Sequence, residues 1–261
     1  MPRQSRTEEQ VGAVREAILD KAIQLIFDKG YATLSMRSLA ESLGITATTL
    51  YQYFKGRDEI NIWLQYRGYG RLYSALKEAH DRHQAPADRF AAMVHAYLDF
   101  ALSNPQYYDF LMNPRQPQYL DYVGTAYEKI STREKESSIR NFEVFCEVIG
   151  EILKSRGETN AATVHDRTVR FWSDLHGIIS LYNARILAEV DTNAAGVLKR
   201  RVAEIIQSVA GSAAPMRLRR KVALREKPAE GPDVKHRTRG RVPSRSAGTR
   251  SARPEPEEAP A

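Results

Sequence analysis

Residues 15–60 read REAILDKAIQLIFDKGYATLSMRSLAESLGITATTLYQYFKGRDEI, and the spacing of their apolar side chains decides the fold. Met36, Leu39, Ala40 and Leu43 stand at i, i+3, i+4 and i+7, which predicts a short helix with one narrow apolar face and Ser35 placed to cap it. Gly44 ends that helix, Ile45 can plug the gap to a neighbour, and Thr46 can cap a second helix whose inner face is Leu50 and Phe54. Two short helices about a glycine turn are the geometry in which one helix enters the major groove of DNA while the other crosses the backbone. The same pair is also a common way of packing helices where no nucleic acid is involved. Ala47, Thr48, Tyr51 and Gln52 point outward on the second helix. Their hydroxyl and amide groups can reach phosphates or base edges, and a small Ala or Thr can meet a thymine methyl.

Working outward, apolar residues recur at helical spacing along most of the chain, as in Val14, Ile18, Ala22, Leu25 and Ile26, while alternation of period two is scarce. The fold class is therefore all-α. Thr7 with Gln10 and Ser131 with Glu134 read as capping boxes, and Gly30, Gly157 and Gly211 sit where helices should stop. Breaks fall at Pro86, Asn104-Pro105 and Pro114 to Pro117. Helices are predicted over 8–29, 36–43, 47–54, 58–83, 87–103, 105–112, 118–130, 132–156, 160–189 and 193–210, and no internal repeat is visible.

Of 261 residues carrying a net charge of +7, the stretch from Gly211 onward holds thirteen Lys/Arg against six Asp/Glu, seven of the twelve prolines and no Phe, Tyr or Trp. It cannot build a packed core, so 212–261 is expected to be a disordered basic tail. The remainder balances twenty-six basic against twenty-six acidic residues, and any surface for nucleic acid there has to be a local patch. The single Cys146 cannot form an internal disulfide, and the start MPRQSRTEEQ lacks the apolar run of a secretory signal. A soluble protein of the reducing cytoplasm is expected, with no membrane partner, because no run approaches the roughly 18 apolar residues that span a bilayer.

The wider string carries a resemblance. Ala22 to Phe27, Gly30-Tyr31, Leu34-Ser35-Met36-Arg37-x-Leu39-Ala40, Gly44-Ile45-Thr46, Leu50-Tyr51-x-x-Phe54 and Arg57-Asp58-Glu59-Ile60 closely resemble the N-terminal domain of the TetR/AcrR family. The resemblance implies an N-terminal three-helix DNA-binding domain over 1–57, followed by a larger helical domain over 58–211 for effector binding and dimerisation. It implies that Ser35, Thr49 and Tyr51 hold phosphates of double-stranded operator DNA and that Arg37, Ala47 and Thr48 face bases, with Thr46 and Gln52 alongside. The sequence departs from the family where Tyr53 replaces a usual His and Arg57 a usual Lys, and phosphate contact is expected at both. A further likeness, Trp172, His176 and Gly177 with the earlier Asn104-Pro105-Gln106-Tyr107-Tyr108, points to a branch whose C-terminal domain carries a Trp-x-x-x-His-Gly motif.

In the larger region, Trp172, Leu175, His176, Ile179 and Ile186 line one face of a helix, and Phe171, Ile178 and Leu181 another. With Gly177 open to close approach and Leu198, Val202, Ile205 and Val209 on the next helix, the family implies a four-helix homodimer interface. Aromatic side chains are dense here: Tyr66, Tyr69 and Tyr73, then Phe90, Tyr97 and Phe100, then Phe142 and Phe145. Such stripes are core material, and an effector pocket would be cut from the same material with a few polar groups. Tyr66, Tyr69, Tyr73, His95, Phe142, Cys146, Trp172 and His176 are the ligand candidates, for a mostly apolar small molecule. His80 and His83 have a chelating spacing but no third ligand nearby, and a solvated helix end is the alternative. No catalytic or cofactor motif is present, so neither catalysis nor a cofactor is expected. A ligand-released transcriptional repressor is the leading reading. A small-molecule binding protein with a vestigial head and a sequence-blind nucleoid protein using the basic tail are the alternatives.

Overall fold

Thr7 and Gln10 cap each other as their spacing predicts: the Thr7 hydroxyl accepts from the Gln10 amide at 3.3 Å, and the Gln10 side chain accepts from the Thr7 amide at 3.1 Å. From that cap the computed structural model, which describes residues 7–112 and 116–211, is helical in nearly every segment. The helices are α1 (Glu8–Lys29), α2 (Met36–Ser42), α3 (Ala47–Tyr51), α4 (Arg57–Asp81), α5 (Pro86–Ser103), α6 (Pro105–Met112), α7 (Tyr119–Tyr122), α8 (Glu128–Lys154), α9 (Ala161–Asn183), α10 (Ile186–Val190) and α11 (Ala194–Ala210). A short 3-10 turn at Tyr31–Thr33 joins α1 to α2, and no strand occurs among the described residues. The basic tail expected over 212–261 lies outside the described residues.

Three elements depart from the sequence reading. The helix predicted over 118–130 is only α7, and α8 starts at Glu128. Ser131 is consequently inside α8, where its hydroxyl donates to the Glu128 carbonyl at 3.0 Å, and it caps nothing. The helix predicted over 160–189 is interrupted at Arg185, which has φ 63°, giving α9 and α10. Finally, α3 ends at Tyr51 by its helical bonds, although Phe54 N still donates to Leu50 O at 3.1 Å and carries the turn onward.

Apolar side chains collect in two clusters. The first joins Ile18, Leu19, Ala22, Ile23 and Ile26 of α1 to Leu39, Leu50 and Phe54, and to Ile60 and Leu64 at the start of α4. The second joins Leu72 and Leu76, further along α4, to α5, α8, α9 and α11 through Phe90, Val94, Phe145, Ile149, Phe171 and Ile205. Each buried large side chain contributes about 1.5–3 kcal/mol. No linker separates the clusters, because α4 runs through both.

The short helix α6 bridges them as well. Tyr107 belongs to the first cluster and Tyr108 to the second. Tyr107 donates its hydroxyl to the Leu64 carbonyl at 2.8 Å, and α4 offers a glycine where α6 crosses it. A Cβ at Gly68 would lie 2.4 Å from Tyr107 Cε1, so only a residue without one admits this contact.

Candidate functional site

Ser35 caps α2 by accepting from Ser38 N at 3.0 Å, while its own amide donates to Ser38 Oγ at 3.1 Å. At the other end Gly44 takes φ 65°, and Ile45 N reaches back to Ala40 O at 3.0 Å, closing the helix in a left-handed turn. Thr46 Oγ1 then accepts from Thr49 N at 3.1 Å and starts α3. Leu39, Ala40, Leu50 and Phe54 are buried beneath this pair, which fixes the outward side of α3.

That outward side is the one the sequence predicts. Arg37, Thr46, Thr48, Tyr51, Gln52 and Arg57 are exposed, and Ala47 and Thr49 are half-buried. Tyr51 is 54 % exposed, which leaves its ring and hydroxyl on the outer side of α3. Among the described residues no acid lies in ion-pair range of Arg37. Arg57 stands 5.3 Å from the Tyr31 ring, which holds it beside the start of α4. Tyr53 is the correction: at 8 % exposed it packs in the first cluster on the inner side of the turn, not beside Tyr51 on the surface.

The sequence reading missed the residue that fastens this head to α4. Arg15 donates to the Tyr53 carbonyl and pairs with Glu59 at 3.4 Å, and its guanidinium lies 4.1 Å from the Phe54 ring centre and 5.3 Å from that of Trp63. A turn later on α4, Arg67 pairs with Glu16 at 3.1 Å and Asp20 at 2.7 Å. Arg15 sat in the opening string as one polar residue of an amphipathic helix, and nothing in its local spacing marks a contact 38 residues away.

The ligand candidates do not converge on one site. Tyr69, Tyr73 and His95 are half-buried, with the Tyr69 hydroxyl donating to Leu111 O at 3.1 Å and burial pushing that phenol up. Burial likewise pushes the His95 imidazole below its usual range, against a raising effect of Asp99. Tyr66 instead stands edge-on to Trp63 at the surface, over a recess formed with Ile62, Ile130 and Arg133. Phe142 packs against His165 and Cys146 beside Thr168, so both face α9 and not α4. Helical spacing shows which residues share a face, but it does not show which neighbour that face meets. Burial also pushes the Cys146 thiol up, against the lowering effect of a hydrogen bond with Thr168.

On α9 the two faces are assigned differently from the sequence reading. Phe171, Leu175 and Ile179 face the protomer core, as do Leu198, Val202, Ile205 and Val209 of α11. Val169, Trp172 and Leu181 with Ile186 remain exposed, Trp172 at 41 %, and a Cβ at Gly177 would meet nothing within 4 Å. Trp172 stacks on His176 at 6.0 Å and 24°. His176 Nδ1 is 2.6 Å from the Tyr108 hydroxyl and Nε2 3.3 Å from Ser180 Oγ, and burial lowers its pKa.

A second group of buried polar residues escaped the sequence reading. Asn61, Gln65, Ser131, Glu134 and Asn141 are all buried where α4 runs beside α8. Burial pushes the Glu134 carboxyl up to about 7. No metal-binding group of His, Cys, Asp or Glu occurs among the described residues, and none of their helices is long and apolar enough to cross a membrane.

Residues 18–61 match the family model described as bacterial regulatory proteins of the tetR family, and residues 90–205 match that of the tetracyclin repressor-like C-terminal domain. The chain belongs to the TetR family. It is a helix-turn-helix transcriptional regulator, and α2 with α3 is the pair that names the class. The TetR-family chain is 22 % identical over 172 residues to the uncharacterized HTH-type transcriptional regulator YobS of Bacillus subtilis, covering 66 % of this chain and 80 % of that protein. It is 31 % identical over 111 residues to the HTH-type transcriptional regulator Rv1816 of Mycobacterium tuberculosis, covering 40 % of this chain and 47 % of that one. Among solved structures, the putative regulatory protein SCO4313 matches with a TM-score of 0.62 at 23 % identity, over 77 % of this chain and 98 % of that chain. The transcriptional regulator FadR of Bacillus subtilis, solved in complex with stearoyl-CoA, matches with a TM-score of 0.57 at 14 % identity, over 76 % and 99 %.

Proposed function

We propose that the chain is a homodimeric repressor that holds a palindromic operator through two copies of the α2–α3 head and releases it when a small molecule binds in the helical region. The observation that carries this reading is the outward surface of α3. Arg37, Thr48, Tyr51 and Gln52 stand exposed on an element whose caps and buried face leave it one orientation. On that surface Arg37, Ala47 and Thr48 read base edges, while Ser35, Thr49 and Tyr51 hold phosphates.

Dimerisation is supported by the exposed row Val169, Trp172, Leu181 and Ile186, a set of large apolar side chains that one protomer leaves uncovered. A two-fold axis beside α9 brings the same row of a second copy onto it and leaves Gly177 room for close approach. Release is supported by the tie between α4 and the head, since Arg15–Glu59 and Arg67–Asp20 make α1 follow any tilt of α4. The cytoplasm is where such a regulator works.

Footprinting the full chain on the DNA upstream of its own gene tests the proposal. Two protected half-sites related by a dyad are expected. Protection without a discrete boundary, equal on scrambled DNA, would discard it in favour of sequence-blind binding.

A further inference from the structure

Trp172 stands in the exposed row of α9, yet its indole is fastened from behind. It lies stacked on His176, one turn later on the same helix, with ring centres 6.0 Å apart and planes 24° from parallel. His176 in turn packs on Tyr108 of α6 at 5.6 Å, and Tyr108 meets Tyr97 of α5 edge-on at 5.9 Å. Tyr97 returns to Trp172, whose indole N–H is its hydrogen-bond partner on that side. Four rings from three helices therefore close on one another. Tyr108 is fully buried and Tyr97 is 2 % exposed, so the rear of the set is core, whereas Trp172 at the front is 41 % exposed.

Hydrogen bonds follow the same circuit. Tyr97 and Tyr108 share one between their hydroxyls at 3.4 Å, Tyr108 shares another with His176 Nδ1 at 2.6 Å, and His176 Nε2 is 3.3 Å from Ser180 Oγ. An indole N–H can only donate, and each phenol has a single proton. With Trp172 donating to Tyr97, the proton of Tyr97 goes to Tyr108 and that of Tyr108 to His176 Nδ1, which leaves Nε2–H for Ser180. The opposite direction would strand the Tyr97 proton against two donors inside the core. The chain thus leaves α9 at Trp172, passes through α5 and α6, and returns to α9 at His176. Val169, Leu181 and Ile186, the aliphatic members of the exposed row, have no polar atom by which the core could hold them.

Resting on the homodimer reading above, we propose that Tyr108 and His176 are positioning residues for Trp172, presenting its indole in one fixed rotamer as the anchor that a second copy of the chain receives. A Trp side chain left loose on the surface would have to be immobilised on association, and that ordering offsets part of what its contact contributes. Held from behind, the indole enters the interface already ordered, as the aromatic anchors that dominate interface energetics do. At Gly177, next to His176, a Cβ would meet nothing within 4 Å, which leaves space for the partner's side chains. The partner is a second copy because Trp172 is continuous with the aliphatic row that a two-fold axis would cover. Such an axis uses each Trp172 once, so the hold on the indole acts twice per dimer.

The test uses the full chain with Trp63→Phe, which leaves Trp172 as its one tryptophan. Time-resolved fluorescence anisotropy reads whether the indole rotates on its own, and exchange of subunits between two differently labelled populations reads how fast the dimer opens. In this parent the indole should tumble with the whole protein. Tyr108→Phe should add a fast local rotation and speed exchange about tenfold, since most effects of interface changes fall on dissociation. Tyr97→Phe should do the same by opening the chain one link earlier. Once Trp172 is replaced by Leu, the Tyr108 hydroxyl should change exchange by less than about twofold, which a purely structural role would not give. A freely rotating indole in the parent, unchanged exchange when Tyr108→Phe loosens it, or an equal effect of Tyr108→Phe with and without Trp172 would each overturn the proposal. Circular dichroism checks the fold, and the parent's anisotropy decides even where a variant unfolds. A dimer whose indole rotates freely strikes the positioning role alone, whereas a parent that light scattering finds monomeric strikes the homodimer reading as well.

Discussion

Arg37 and Tyr51 both stand on the surface of the head, yet they should fail differently when removed. Arg37, at the start of α2 with no ion-pair partner among the described residues, has its guanidinium available for a base edge. Arg37→Ala should cost about 1–3 kcal/mol of discrimination between operator and scrambled DNA, while Tyr51→Phe should weaken both about equally. Competition binding of the two variants checks this, and equal loss of selectivity would contradict the division of roles. Glu134 gives a residue-scale prediction of another kind. Its folded pKa of about 7 lies above the ordinary value of 4.5, so below the lower figure both states are protonated and the burial costs nothing. As pH rises through this window the unfolded chain loses the proton first, and the folded state is penalised by up to about 3 kcal/mol above pH 7. Glu134→Gln removes that penalty. Urea midpoints should show the variant gaining on the wild type between pH 5 and pH 8, and a constant difference would mean that the carboxyl is solvated.

Elements built on local codes were the legible ones. The pair α2 and α3 follows from Ser35, Gly44 and Thr46, whose effects act within five residues, and the structure has each in the predicted role. Where tertiary contacts override such codes the reading failed. Ser131 and Glu134 have the spacing of a capping box, but packing against α4 and α7 draws the helix four residues further back and buries both. The break at Arg185 has no glycine or proline to announce it. The candidate ligand set was legible only as a list of aromatic residues, and the polar seam under α8 was not legible at all, since Asn61, Gln65 and Glu134 look like solvent-facing positions until the neighbours are known. The α4–α6 crossing makes an element-scale prediction. Gly68→Ala would put a Cβ 2.4 Å from Tyr107 Cε1, so α6 must move, and overpacking of this kind costs about 1–3 kcal/mol. Thermal unfolding should show the loss, and an unchanged midpoint would mean that α6 is not clamped on α4.

For the whole molecule, the uncovered row on α9 and the two reading heads have to be understood together. A single head spans one half-site, and specific binding needs a second head about 34 Å away to enter the next major groove. Leu181→Asp places a charge in the exposed row without touching the protomer's own core, in which Leu175 and Ile179 are buried. It should convert the dimer to a monomer at micromolar concentration with helix content retained, as read by light scattering and circular dichroism. A variant that stays dimeric would move the interface elsewhere.

The central claim, that the α2–α3 head reads a specific operator, is tested most directly by the affinity of the full chain for its own upstream DNA against scrambled DNA at one physiological salt concentration. A specific regulator should prefer the former by about a thousandfold or more, and Arg37→Ala should erode that ratio. Equal affinity for the two DNAs, with the same dependence on salt, would contradict the account.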